Sequence, residues 1–155
     1  MRKGIAKKRY ILPDPKYKDL LVSKFINCLM LKGKKNLAFE IFYDSIDIVS
    51  KKMKKDGLEV WKKSLNNIMP CVEVKRRRIG GAKFQVPVEV SPERKISLGI
   101  KWLIKYARLR SENTIKNKLS NEIISAFNGE GNAIKKKIEI HKIAESNKAF
   151  SHFKF

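Results

Sequence analysis

The chain has 155 residues, and its 36 Lys and Arg against 15 Asp and Glu give a formal net charge of +21. With 43% apolar residues it is expected to bury a core rather than remain a disordered basic tail. No apolar run approaches the roughly 20 residues that span a bilayer, and no apolar stretch follows the basic start as a signal peptide requires. So large a positive charge implies a polyanionic partner, with nucleic acid the first expectation and an anionic membrane surface the rival.

Residues 1–12 read as a basic arm carrying Arg2, Lys3, Lys7, Lys8 and Arg9, with Tyr10, Ile11 and Leu12 expected to tack it onto the body. Asp14-Pro15 marks a boundary. The apolar spacing then predicts a helix from about Tyr17 to Leu31, with Leu21, Phe25, Cys28 and Leu29 on one face. Lys32-Gly33 stops it, Gly33 supplying a left-handed cap. A second helix is expected from about Lys35 to Lys55, its stripe formed by Ala38, Ile41, Phe42, Ser45, Val49 and Met53. Asp56 and Glu59 have capping-box spacing before a third helix that carries Leu58, Trp61, Leu65 and Ile68 and ends at Pro70.

The next segment changes period. From Val72 to Val90, apolar and polar residues alternate on both sides of Gly80-Gly81, which predicts a β-hairpin. Lys75, Arg76, Arg77 and Arg78 lead into its turn and Lys83 follows it. Four successive cations have no structural use at a hairpin tip and need water or a polyanion. Pro87 in the second strand fits an exposed edge.

Ser91-Pro92-Glu93 is a helix start, with Ile96, Ile100, Leu103, Ile104 and Ala107 on the apolar side of the helix that follows. A fifth helix, Thr114 to Phe127, has Ile115, Leu119, Ile123 and Phe127 spaced by four. Asn132 is expected to cap a sixth, carrying Ile134, Ile138, His141 and Ala144. Lys148 to Phe155 forms a basic and aromatic tail. The expected fold class is mostly α: a single domain of about six helices with one protruding β-hairpin arm and a basic N-terminal extension. Its parts are the arm 1–12, helices in 13–71, the hairpin 72–90, helices in 91–147 and the tail 148–155.

Catalytic signatures are missing from the sequence. It has no Gly-x-Ser-x-Gly, no His-Glu-x-x-His and no acidic cluster for two metals. Gly33-Lys34-Lys35 lacks the upstream glycine of a phosphate loop, and Lys35 stands where Ser or Thr holds magnesium. The same residues suit backbone-phosphate contact at a helix N-terminus. Cys28 and Cys71 are too few for a disulfide framework and have no zinc-ligand spacing, so both read as ordinary small apolar residues. His141 reads as a packed or hydrogen-bonded histidine, and Trp61 and Trp102 as core. No enzyme, cofactor or metal is expected.

Cations spread over arm, turn, hairpin and tail suit a folded RNA recognised by shape and phosphates. A DNA reader concentrates them near one recognition helix. The candidate RNA-binding residues are Arg2, Lys3, Lys7, Lys8, Arg9, Lys34, Lys35, Lys75, Arg76, Arg77, Arg78, Lys83, Arg94, Arg108, Arg110 and Lys148. A DNA-binding or RNA-chaperone protein is the alternative, and an RNA-modifying enzyme would need a site that the residues do not supply.

Ile11-Leu12-Pro13-Asp14-Pro15-Lys16, Lys24-Phe25-Ile26-Asn27 and Gly33-Lys34-Lys35 follow one another in a specific order. So do Val72-Glu73-Val74-Lys75 through Arg78, Gly80-Gly81, Gln85-Val86-Pro87-Val88-Glu89-Val90, and His141-Lys142 with Ala144-Glu145-Ser146-Asn147-Lys148-Ala149-Phe150. In that order and spacing the chain resembles, over nearly its full length, the bacterial-type family of small-subunit ribosomal protein seven. The resemblance implies a helical protein with a β-hairpin that binds the 3′ major domain of small-subunit ribosomal RNA and nucleates assembly of the subunit head. It implies a place near the exit-site transfer RNA and the messenger RNA, beside small-subunit proteins nine and eleven, in a cytoplasmic or organellar ribosome. By resemblance the RNA contacts fall on the arm Arg2 to Arg9, the Gly33-Lys34-Lys35 turn and the hairpin from Lys75 to Lys83. The stretch Asn113 to Lys137 departs most from the family, and lysines replace many arginines without copying an arginine fork.

Overall fold

A computed structural model describes residues 9–153. The arm residues Arg2, Lys3, Lys7 and Lys8 therefore lie outside the described residues, as does the end of the tail. Six helices and one hairpin follow in the order α1 (Leu20–Leu29), α2 (Lys35–Met53), α3 (Gly57–Ile68), β1 (Val72–Ile79), β2 (Ala82–Glu89), α4 (Pro92–Arg108), α5 (Ile115–Phe127) and α6 (Asn132–Ser146). A 3-10 helix, Lys148–Phe153, closes the described chain. The fold is mostly α, as expected. Its contacts cluster into two compact units, Met1–Glu40 and Ile41–Phe155, with the boundary inside α2.

In the first unit, Asp14 organises the approach to α1. Its buried carboxylate accepts from the backbone N–H groups of Lys16 at 3.1 Å and Tyr17 at 2.9 Å, an Asx-type turn. Lys18 takes a left-handed φ of 51°, and Asp19 accepts from Leu21 N–H at 2.8 Å as the N-cap. The helix thus begins three residues later than apolar spacing alone suggests. Its buried face is Val22, Phe25, Ile26 and Leu29. Cys28 falls outside that stripe and is exposed, contrary to the expectation of an ordinary packed residue; Cys71 is exposed as well. Tyr10 and Leu12 are exposed at 85% and 73%, so neither tacks the arm down.

The second unit holds the larger core. Phe42, Ile46 and Val49 from α2 and Trp61, Leu65 and Ile68 from α3 are buried, as are Ile100 and Leu103 from α4 and Leu119 and Ile123 from α5. Phe42 and Trp61 meet edge to face, 5.3 Å between centroids at 78°. Burying side chains of this size stabilises by roughly 1.5–3 kcal/mol each. Asp56 caps α3, accepting from Leu58 N–H at 3.1 Å. Gly57 lets α3 start hard against α2, because a Cβ there would lie 2.5 Å from the Ile46 carbonyl oxygen. Ser45 donates both to Ile41 O at 2.6 Å and to Lys116 O at 3.2 Å, tying α2 to the start of α5.

The start of α6 differs from the sequence reading. Gly131 occupies the N-cap position at φ 97°, and Asn132 is already helical. The cap comes from α5: the fully buried carboxylate of Glu122 accepts from Ala133 N–H at 3.1 Å. An anion there satisfies a free amide and complements the positive helix end. Ile138, assigned to the apolar side of this helix, is 59% exposed.

Candidate nucleic-acid interface

The hairpin is a two-stranded antiparallel sheet in which Ile79 faces Ala82 across a two-residue loop. Gly80 and Gly81 have φ of 54° and 88°, the left-handed pair that a type I′ turn needs and that glycine adopts without strain. Hydrogen-bonded pairs alternate from that closing pair, which leaves Val74 opposite Pro87 in a position where no ladder N–H is needed. Pro87 therefore costs the ribbon no hydrogen bond, although its side chain is buried rather than at an exposed edge.

The ribbon has two halves. Near its base Val86 is fully buried and Val90 is 5% exposed, and β1 packs along α6 while β2 packs along the 3-10 helix. Toward the turn Lys75, Arg76, Arg78 and Lys83 are exposed, and Arg77, opposite Phe84, is half-buried. The expected arm is thus a packed stem with an exposed cationic tip. Cross-strand partners share a face, so Arg76, Arg78 and Lys83 project from one side, and Lys75 and Arg77 from the other. Arg78 and Lys83 are directly opposite one another. Like charges so placed destabilise a ribbon, and an anion between them offsets the cost.

Beside the stem, between β1, β2, α4 and α6, a cleft of about 410 Å³ is lined by Val74, Arg76, Leu98, Trp102, Ile140 and Ile143, among others. Trp102, assigned to the core from its spacing, is half-buried here and forms part of this wall. Arg94 reaches the stem from α4: its Nε lies 3.2 Å from Glu73 Oε2, and Lys75 Nζ lies 3.5 Å from the other oxygen. Arg94 therefore braces the hairpin base. Lys148 is exposed at the start of the 3-10 helix, and Arg108 is exposed in the last turn of α4.

Arg110 is engaged inside the fold. Its guanidinium donates to Glu122 Oε2 at 2.7 Å and to Glu112 Oε1 at 2.9 Å. Glu112 in turn accepts from Asn121 Nδ2 at 3.0 Å. That amide, with the Arg110 guanidinium second, holds the Glu112 carboxyl down to about 2. This network joins the α4–α5 connection to the start of α6, in the stretch where residue types gave least guidance.

In the first unit the turn before α2 is basic and exposed at Lys32, Lys34 and Lys35. Lys32 and Gly33 both have left-handed φ, 52° and 75°. No acidic residue stands in the first turn of α2. The positive helix end thus adds to the lysines instead of being neutralised, which is the arrangement for a phosphate. Lys35 Nζ also lies 5.7 Å from the Phe39 ring centroid. Arg9 is exposed at the start of the described chain.

Two features were missed from sequence. One is the tail, which folds into the 3-10 helix and places Phe150 on Phe84 of β2 at 5.2 Å. The other is the partner of His141, which is hydrogen-bonded as expected: its Nε2 accepts from the backbone N–H of Cys71 at 3.2 Å. The signal for the first was the aromatic spacing in the tail; none pointed to the second. Among the described residues no helix is long and apolar enough to cross a membrane.

Comparison with known proteins gives a consistent result. The family model described as "Ribosomal protein S7p/S5e" matches residues 1–148. Proteins named "Small ribosomal subunit protein uS7" are similar over their whole length. That of Amoebophilus asiaticus is 64% identical over 154 residues, 99% of each chain. That of Cytophaga hutchinsonii is 60% identical over 155 residues, all of both chains. That of Porphyromonas gingivalis is 56% identical over 158 residues, again all of both chains.

Proposed function

Because the chain belongs to the ribosomal protein S7p/S5e family, we propose that it binds the 3′ major domain of small-subunit ribosomal RNA and nucleates assembly of the subunit head. It is a structural constituent of the small ribosomal subunit and not an enzyme. The finer reading adds a place near the exit-site transfer RNA and the messenger RNA, beside small-subunit proteins nine and eleven. The single observation that supports RNA contact best is the opposition of Arg78 and Lys83 on an exposed tip with Arg76 on the same face. A free protein gains nothing from that arrangement; phosphates turn it into binding energy.

In this reading the arm Arg2, Lys3, Lys7, Lys8 and Arg9 and the turn Lys34 and Lys35 anchor the protein on ribosomal RNA. The tip residues Lys75, Arg76, Arg77, Arg78 and Lys83 serve the transfer-RNA side, with Arg108 and Lys148 as further phosphate contacts. Arg94 contributes mainly by bracing the stem, and Arg110 by holding Glu122. A matched pair of titrations tests this division. Deleting residues 2–9 is expected to weaken binding to the isolated RNA domain strongly, by about 1 kcal/mol or more for each cation removed from a phosphate. Shortening the ribbon across 76–83 is expected to weaken it less and to act on transfer-RNA retention or reading frame in reconstituted subunits. The opposite ranking would reverse the assignment.

A further inference from the structure

Cys71 is the crossing point of the ribbon base. Its carbonyl oxygen accepts from Val90 N–H at 3.1 Å, which closes β1 and β2 together below the last ladder pair. Its own N–H donates to His141 Nε2 on α6 at 3.2 Å. One turn earlier on α6, Lys137 Nζ donates to Asn67 O at 2.7 Å, near the end of α3. Asn67 in turn donates to Ala126 O at 3.1 Å at the end of α5. Residues 137 and 141 are four apart and share a face of α6. That face therefore grips the junction between α3 and β1 at two successive points.

An imidazole accepting through Nε2 is neutral and carries its proton on Nδ1. Other groups that could make this contact differ: a lysine or arginine only donates. A histidine here gives a short, flat side chain whose acceptor lies at a fixed height above α6. Pro70 before Cys71 is buried, so the junction has little other freedom. This hydrogen bond holds the ribbon at its crossing point, while the Arg94–Glu73 pair and the packing of β1 on α6 and of β2 on the 3-10 helix support the stem above it.

Resting on the RNA-contact reading above, we infer that His141 is the positioning residue of the basic hairpin. Its neutral imidazole holds the Cys71 crossing point and so fixes the direction in which Lys75, Arg76, Arg78 and Lys83 are offered to RNA. Its environment favours the neutral form. Burial, with the Lys137 ammonium second, lowers the His141 pKa. His141 also lines a second cleft, between the strands and the end of α6, which presents Lys148 and, opposing the two cations, Glu89 and Glu145. Because the latched state prefers the neutral ring, the contact is intact above about pH 6.5 and is weakened as pH falls below that value.

The test uses the full chain with His141→Ala and His141→Gln; the glutamine carbonyl can still accept. Amide exchange is read at Cys71 and Val90, and binding is read against the isolated 3′ major domain RNA. In His141→Ala, exchange at both amides is expected to rise about fivefold or more, the factor for one net hydrogen bond, and RNA binding to weaken. His141→Gln is expected to restore both. Between pH of about 7.5 and about 5.5, the unsubstituted chain is expected to lose more affinity than His141→Gln. Unchanged exchange in His141→Ala, no rescue by glutamine, or equal pH profiles would overturn the inference. If His141→Ala does not fold, the glutamine and pH arms still decide. Failure of the unsubstituted chain to bind the RNA, with exchange behaving as expected, would instead overturn the RNA-contact reading on which the inference rests.

Discussion

The ring of Phe150 lies 5.2 Å from that of Phe84, tilted by 54°, so the C-terminal tail is fastened to the second strand of the hairpin. A ribbon of two strands is marginal in water by itself. Here β1 leans on α6 and β2 on the 3-10 helix, and the stem becomes a packed element. The cationic tip can then stand free of the helices without dissolving the strands below it.

Phe150→Ala is expected to free the tail and loosen the ribbon while leaving the helices intact. An aromatic pair contributes about 0.5–1.5 kcal/mol beyond area burial. Amide exchange is expected to rise in residues 82–89 and 148–153 but not in α3 or α5. A global loss of stability with no selective change in these segments would contradict the strap.

Phe42→Ala removes a ring packed at 5.3 Å on Trp61 and is expected to cost about 3–5 kcal/mol in thermal or denaturant unfolding. Arg77→Ala removes a half-buried side chain opposite Phe84 and is expected to cost under about 1 kcal/mol, the scale of one cross-strand pair. Equal damage from the two would show that the ribbon tip belongs to the core.

Arg110→Ala leaves the fully buried Glu122 carboxylate without its cation. Arg110 is itself partly exposed, which places the expected cost near the lower end of the range for breaking a buried pair, about 3 kcal/mol. Glu122→Gln keeps an acceptor for Ala133 N–H and is expected to be milder. Similar losses from the two would mean that the charge pair is not what holds the start of α6.

The same network sets an acid dependence. Glu112 has its carboxyl lowered from 4.5 to about 2, first by the Asn121 amide and then by Arg110. A depressed carboxylate stabilises the fold above its unfolded pKa, and the contribution is lost as pH falls from 4.5 toward about 2. Carboxyl titration by NMR is expected to show the low inflection, and Asn121→Ala to raise it. An inflection near the ordinary value in the unsubstituted chain would remove the network from the acid response.

Much of this was legible in the residues, for identifiable reasons. Gly80-Gly81 between alternating strands dictates a hairpin, and Asp56 three residues before Glu59 dictates a helix start, because both are local backbone chemistry. Phe42, Trp61, Leu103 and Ile123 are buried where their spacing put them. What was not legible depends on partners far away in sequence. Glu122 caps a helix that begins ten residues later, and His141 serves an amide 70 residues earlier. Cys28 and Ile138 are exposed because a helix stripe can rotate by one position without changing its period. The site residues were read from charge and from the family resemblance; charge locates the cationic tip but does not separate Arg76, exposed toward solvent, from Arg110, held by two carboxylates.

The most direct test is a titration of the full chain against the isolated 3′ major domain RNA, with duplex DNA as competitor, repeated across salt. Each phosphate neutralised contributes roughly 0.7–0.9 to the log–log slope, so six or more contacts give a slope beyond about −4. The expected result is that slope together with a preference for the RNA of about tenfold or more, or 1.4 kcal/mol. Equal binding to duplex DNA, or a slope near zero, would contradict a protein built to hold ribosomal RNA through its basic turn, arm and hairpin.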